Sequence, residues 1–408
     1  MKFDKRFLYI GICIHVVYFT ISLLLFFFTT YSETSDFLTY YNAGKIILEN
    51  INYLYDQTYY NFPYRYFPIS AYFFAPFALL SYELGYLLFQ ICSLVVNLLN
   101  CYLIVVIVNK IQNKNDIVVS KDIILKFIVI YLAVFPHFMN YALGQVNNLI
   151  TLLILLALFL FMNNSVVSDL CGGLLIGFSI SIKPLAIFII PFVLISYYKM
   201  KKIDFKLLIS RLVGIIIPLL ISLLYFIVFP ALWQGFLDIN LSGEYTEEGI
   251  NNSISVTRAI LNLFYVLNAP ANNIFVFFIV SLGIAVPGFL IYLFRRNSLI
   301  GMNEAIIFGM IIMLLVYFDS WDHHLVSLAP FLSIFLIVND NSSDLKQEKS
   351  INTFKLGYYL LATLVVPMSG VFFLTYNYFP FNLWGSIFLL VIFIGLIRFT
   401  FLTSEHEE

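Results

Sequence analysis

Long apolar runs, separated by short clusters of charge, constrain this chain more than any other feature. A helix needs roughly 20 apolar residues to cross a bilayer, and the runs approach that length repeatedly. Placing boundaries at charged residues gives about twelve candidate spans, beginning near Phe7, Leu84, Ile123, Val146, Leu170, Pro184, Leu207, Ile274, Ala305, Leu325, Leu356 and Leu383. Backbone groups inside a bilayer must be satisfied within the segment itself, so the expected fold is all-α, a polytopic transmembrane helix bundle. Composition agrees with this reading. Of 408 residues, 61% are hydrophobic and 11% charged, against about 25% charged in ordinary soluble domains. Mean hydropathy is +0.93, and no polar stretch is long enough to make a separate soluble domain.

The first six residues, Met-Lys-Phe-Asp-Lys-Arg, precede an apolar run reaching Thr29. That run is too long for a cleaved signal and lacks a small-residue cleavage site, so an uncleaved first helix is expected. A net charge of -1 with scattered basic clusters argues against nucleic-acid binding. Cys13, Cys92, Cys101 and Cys171 lie in apolar runs without zinc-type spacing and are expected as core thiols.

Charge orients the bundle. With a cytoplasmic N-terminus, only Lys45, Arg65, Lys183 and Arg258 of the 22 Lys and Arg residues fall outside, the asymmetry that the positive-inside rule describes. Both termini are then cytoplasmic. This threading requires that the segment from Pro68 to Leu80 does not cross; it is short and interrupted by prolines, and reads as a helix lying on or dipping into the outer surface. The outer face carries two large loops, Thr30 to Glu83 and Phe229 to Asn273. Short turns at Gly144-Gln145, at Lys183 and from Asp319 to His324 join them. The runs Leu170 to Ile182 and Pro184 to Tyr198 are too short to span alone, which implies a cavity near Lys183.

Several outer residues have the chemistry of a site. Asp36, just beyond the first helix, puts a carboxylate at the membrane–water boundary, where a general base belongs; Glu33 is its competitor, and a merely solvated loop aspartate is the plainer reading. Arg65 and Tyr66 stand in Pro-Tyr-Arg-Tyr-Phe-Pro, a guanidinium among rings that suits a phosphate or a sugar face, or simple anchoring. Lys183 closes a short apolar helix before a proline, a costly position unless it pairs or binds an anion. Gln145 and Asn147, in Gly144-Gln-Val-Asn-Asn, offer amides to sugar hydroxyls, although helix capping explains the motif nearly as well. Trp321, Asp322, His323 and His324 form an aromatic and polar wall of the kind that carbohydrate sites use. Adjacent histidines do not converge on a metal, so none is expected. His15 and His137 read as packed or hydrogen-bonded, and the acidic segment Gly243 to Gly249 reads as a lid.

Taken in order, Asp36-Phe-Leu-Thr-Tyr-Tyr-Asn-Ala-Gly, Asn52-Tyr-Leu-Tyr-Asp, Tyr64-Arg-Tyr-Phe-Pro-Ile, Gly144-Gln-Val-Asn-Asn, Gly173-Leu-Leu-Ile-Gly-Phe-Ser-Ile-Ser-Ile-Lys-Pro and Ser320-Trp-Asp-His-His resemble the GT-C glycosyltransferases. The resemblance is closest to glycosyltransferase family 87 and covers roughly residues 1 to 335. It implies a GT-C-like catalytic transmembrane module over 1–335, followed by C-terminal transmembrane helices over 336–408. It also implies inverting transfer of a hexose, usually mannose, from a polyprenyl or dolichyl phosphate donor to a lipid-linked or glycan acceptor at the outer face, without metal or other cofactor. Asp36 carries over as the catalytic aspartate. Lys183, with Arg65 and Arg258, becomes a candidate for the donor phosphate, and Tyr66, Gln145, Asn147, Trp321, Asp322, His323 and His324 are candidates for sugar and acceptor. A single acid stands at Asp36 where many GT-C enzymes have a pair. The expected location is a prokaryotic plasma membrane, or the endoplasmic reticulum in a eukaryote. A transporter or flippase of a lipid-linked sugar, or a non-catalytic subunit of a glycosylation complex, are the competing readings; no internal repeat supports the former.

Overall fold

The structure is a computed structural model that describes residues 6–115, 119–197, 204–241, 253–295, 301–339, 352 and 384–404, and every regular element among them is helical. Helix α1 (Arg6–Phe28) leads to α2 (Asp36–Glu49) and α3 (Pro68–Ala78), then to α4 (Tyr82–Asn115). A broken pair follows, α5 (Lys121–Ala133) and α6 (Pro136–Leu143), bent by 43°. Pro136 cannot donate to the preceding turn, which is why the break falls there. Helices α7 (Asn147–Phe161), α8 (Val166–Ile182), α9 (Ile190–Ile195) and α10 (Phe205–Val228) complete the centre. Beyond them come α11 (Pro230–Leu241), α12 (Val256–Val266), α13 (Asn273–Val280), α14 (Val286–Arg295), α15 (Gly301–Val316), α16 (Leu325–Asn339) and α17 (Trp384–Ser404).

Five helical stretches are long and apolar enough to cross a membrane alone, six if the bent pair counts as one. The sequence count of about twelve took every apolar run as a span. Several of those runs are helices of 10–17 residues; at 1.5 Å per residue the 15 residues of α7 rise only about 22 Å. The run from Leu356 lies outside the described residues, as does the Gly243 to Gly249 segment. The two expected loops are also more ordered than loops. The first holds α2 besides the short helix expected from Pro68, here α3, and the second holds α11 and α12, with Ser255 accepting from the Arg258 N–H to start α12.

Large apolar side chains stay exposed along α1 (Tyr9, Val16, Leu24), α4 (Leu88, Val95, Tyr102) and α10 (Ile209, Leu220, Ile227), the surfaces that hydrocarbon would cover. Cys13, Cys92 and Cys171 are on such exposed faces and Cys101 is half-buried, so the expectation of core thiols is corrected. A sulfhydryl costs little against lipid, and apolar context alone did not reveal which side of the helix it takes.

Helices α8 and α10 meet backbone to backbone. A Cβ on Gly173 would lie 2.3 Å from the Arg211 carbonyl oxygen, and one on Gly177 2.5 Å from that of Ile215. Small residues four apart are what lets apolar helices approach this closely. Across the same contact the fully buried Arg211 pairs with the fully buried Asp169. Arg211 also donates to the carbonyls of Val193 and Ser196, capping the end of α9. His15 is likewise a structural residue, bonded to the Leu132 carbonyl at 3.0 Å and the Tyr141 hydroxyl at 2.8 Å.

Removing one partner of a buried pair strands the other charge, at a cost of about 3–5 kcal/mol. Asp169→Leu should therefore lower the melting temperature of the detergent-solubilised protein sharply, and Asp169→Leu/Arg211→Met should recover part of the loss. Equal melting of the single variant and the wild type would refute this account of the α8–α10 contact.

Candidate functional site

One end of the bundle gathers residues from four distant parts of the chain around a cavity of about 660 Å³. Asp36, Arg65, Tyr66, Gln145, Lys183, Trp321, Asp322, His323 and His324 line it. Asn147 and Arg258 do not; they stand behind the wall. Glu33, the competing acid, is exposed and is not a lining residue.

Asp36 is not in a loop, as its sequence position suggested, but opens α2. A carboxylate in the first helical turn faces unpaired backbone N–H groups, which favours its charge. Phe37 and Tyr40, one and four positions on, are fully buried and pin this turn to the bundle. Gln145 reaches Asp36 because α6 ends in a left-handed glycine. Gly144 has φ +67°. Its N–H bonds the Tyr141 carbonyl at 3.0 Å and the Gln145 N–H bonds that of Asn140 at 2.8 Å, a Schellman cap. The motif is thus both a cap and the mount for a polar side chain.

The Gln145 amide joins the two ionisable groups. Its Nε2 donates to Asp36 Oδ2 at 2.6 Å, and its Oε1 accepts from Lys183 Nζ at 2.9 Å and from the Tyr40 hydroxyl at 2.9 Å. The amide orientation follows from chemistry, since an ammonium only donates and a carboxylate only accepts. Lys183 caps α8 and is 4% exposed. It gives a second bond to Asn147 Oδ1 at 2.8 Å, and Asn147 Nδ2 donates to the His323 carbonyl at 3.0 Å. Among the described residues these are the two acceptors of the ammonium, which leaves one N–H for a ligand.

Burial pushes the Asp36 carboxyl above the usual carboxylate range, against the opposing pulls of the Gln145 hydrogen bond and the Lys183 charge. Burial likewise pulls the Lys183 ammonium down, with the Asp36 charge holding it up. Each charge opposes the other's loss of ionisation without cancelling the effect of burial.

A second ionic cluster borders the same cavity. Arg65 donates to Asp319 Oδ2 at 2.7 Å and Arg258 to Asp319 Oδ1 at 3.2 Å. One carboxylate thus engages two guanidiniums, leaving a net positive wall. Tyr66 meets the Tyr40 hydroxyl at 3.0 Å, so a chain of hydroxyls runs from Gln145 toward Arg65. The His324 ring accepts from the Trp321 N–H at 3.0 Å, folding that turn around its own imidazole. An apolar flank is supplied by Met139, Leu143, Leu185, Ile187, Phe188 and Phe277, with Thr34 and Asn240 as further polar lining. Tyr40, Tyr317 and Asp319 were not among the candidate site residues. Tyr40 stood in the Asp36 motif and Asp319 at the start of the outer turn, whereas nothing marked Tyr317 among 28 tyrosines.

A cavity with a charged end and an apolar flank suits an amphiphile carrying an anion next to a polar head. Residues 64–317 match the model of Glycosyltransferase family 87, well over half of the chain. No curated protein matches the sequence.

A Cβ on Gly144 would lie 2.6 Å from the Phe37 Cβ. Gly144→Ala should therefore destabilise by about 1–2 kcal/mol from the left-handed backbone alone and displace Phe37 besides. Gly144→Asn, which tolerates the backbone better but carries the same Cβ, should still melt below wild type. An unchanged melting temperature for both variants would refute the cap.

Proposed function

The chain belongs to glycosyltransferase family 87, and from that premise we propose that it transfers a hexose, with mannose the expected sugar, from a polyprenyl or dolichyl phosphate donor to a lipid-linked or glycan acceptor. The observation that carries this reading is the linkage of Asp36 to Lys183 through Gln145 inside a cavity with an apolar flank. A transferase of this kind needs one ionised carboxylate beside one buried cation, and room for lipid next to both.

In the proposed reaction the acceptor hydroxyl donates to Asp36 Oδ1, which has no hydrogen-bond partner among the described residues. As the acceptor oxygen bonds to the sugar C1, Asp36 takes its proton, and the C1–oxygen bond to phosphate breaks on the opposite face. The configuration at C1 inverts. The phosphodiester leaves as a monoester with one more negative charge, which the free N–H of Lys183 meets. A phosphate leaving group needs no acid, so one carboxylate suffices and no metal enters the scheme. Tyr66, Trp321, Asp322, His323 and His324 face the sugar and acceptor. Arg65 and Arg258, shared by Asp319, supply positive potential to the same space rather than a free guanidinium. The excess of Lys and Arg in the segments that the sequence threading puts inside supports an outer-face site in a multi-pass membrane protein with cytoplasmic termini.

Membranes carrying the wild-type protein should move label from radiolabelled polyprenyl-phosphate mannose into a lipid product, and Asp36→Asn should lower the rate by about 10²–10⁴-fold without loss of the folded protein. Asp36 must be ionised to accept a proton, and its carboxyl is raised by burial. Activity should therefore fall on acidification with a midpoint above the ordinary carboxylate range. Full activity of Asp36→Asn, or no transfer from any hexose or pentose donor, would sink the reading.

A further inference from the structure

Asp36 and Lys183 carry opposite charges, share one buried site and yet make no direct ion pair; the side-chain amide of Gln145 lies between them, bonded to the carboxylate at 2.6 Å and to the ammonium at 2.9 Å. We propose that Gln145 is a positioning residue whose amide holds the base and the phosphate-binding cation apart, so that each remains available to substrate. What the two charges are kept for rests on the glycosyl-transfer reading; their separation does not.

Gln145 is built to resist displacement. Its side chain is 4% exposed and its Oε1 takes a third bond, from the Tyr40 hydroxyl at 2.9 Å. The Tyr40 ring stacks on Phe74 with centroids 4.4 Å apart and planes within 3°. The Gln145 backbone is held on both sides by Asn140, through the Schellman bond at 2.8 Å and an Asn140 Nδ2 bond to its carbonyl at 3.3 Å. Two flexible side chains of opposite charge in a poorly solvated site attract strongly, and only an occupant that satisfies both can keep them apart. A primary amide does so because it offers a donor at one end and an acceptor at the other. A direct pair would commit both groups: Asp36 would lose proton affinity as a base, and the donor phosphate would have to break a buried salt bridge to reach Lys183.

The groups facing Asp36 are Lys183 and the hydroxyls of Tyr31, Tyr40 and Tyr66. Lys183 is faced by Asp36 and by the rings of His323 and His324. Arg65, Asp319 and Asp322 complete the charged lining. Of these, Lys183 is the cation that a Gln145 substitution would release toward Asp36.

The test is infrared titration of the full-length protein in lipid nanodiscs. The protonated-carboxyl band of Asp36 is identified by its absence from Asp36→Asn, and its midpoint is compared in wild type and Gln145→Met, which keeps the length and removes the amide. With the spacer gone the ammonium should meet the carboxylate, so the midpoint should fall by about one pH unit or more. The transfer rate should fall at least ten-fold, and the acid limb of what remains should move down with the midpoint. Gln145→Leu should shift the midpoint in the same direction. In Gln145→Met/Lys183→Met no cation is left to approach, and the midpoint should rise above wild type. An unchanged or raised midpoint in Gln145→Met or Gln145→Leu would overturn the proposal, since loss of the amide donor alone raises it. A wild type that transfers no sugar but shows the downward shift would remove the functional reading and leave the spacer standing.

Discussion

Lys183 holds its ammonium almost entirely out of water, and much of the candidate site is arranged around that fact. An unpaired cation there would be costly, and a fully paired one would have nothing left for a ligand. The structure takes a middle course, with two neutral amides and a carboxylate one amide away. The break between α8 and the helical turns after Pro184 serves the same end, since the proline drives Lys183 into an extended backbone, φ -142° and ψ 108°. A continuous helix would bury the lysine against its own neighbours, whereas the break lets the side chain reach into the space between α6, α7 and the Ser320–His324 turn.

Arg211 answers the same problem differently. Asp169 meets it directly, two carbonyls complete its bonds, and the ring of Phe161 lies 4.4 Å from its guanidinium carbon. That arrangement uses up the charge and leaves a tie between α8, α9 and α10. The contrast separates a structural cation from one with capacity to spare, though both sit in apolar surroundings and both contact the same helix.

The residues that were legible in the sequence are those whose chemistry conflicts with their surroundings. Asp36, Lys183, Gln145 and the Trp321–His324 turn stood out as polar groups next to apolar runs, and the fold brings them to one cavity. The helical class was equally legible, because apolar length leaves few alternatives. Pairing was not. Arg65 and Asp319 are 254 positions apart, and no local pattern announces that one carboxylate serves both Arg65 and Arg258. Span number was obscured for a related reason: apolar length counts residues, whereas crossing depends on how short helices such as α7 and α8 are bracketed by their neighbours. The helices α2 and α12 were hidden inside segments whose charge read as loop.

The order of the site residues along the chain bears on how the protein is made. Asp36, Tyr40, Gln145 and Asn147 all precede Lys183. Both side chains that accept from the lysine are therefore synthesised before it. The Ser320–His324 wall arrives much later, as does Asp319, without which Arg65 and Arg258 lack their shared acid. Chain order thus separates the residues that hold the lysine from those that close the cavity around it.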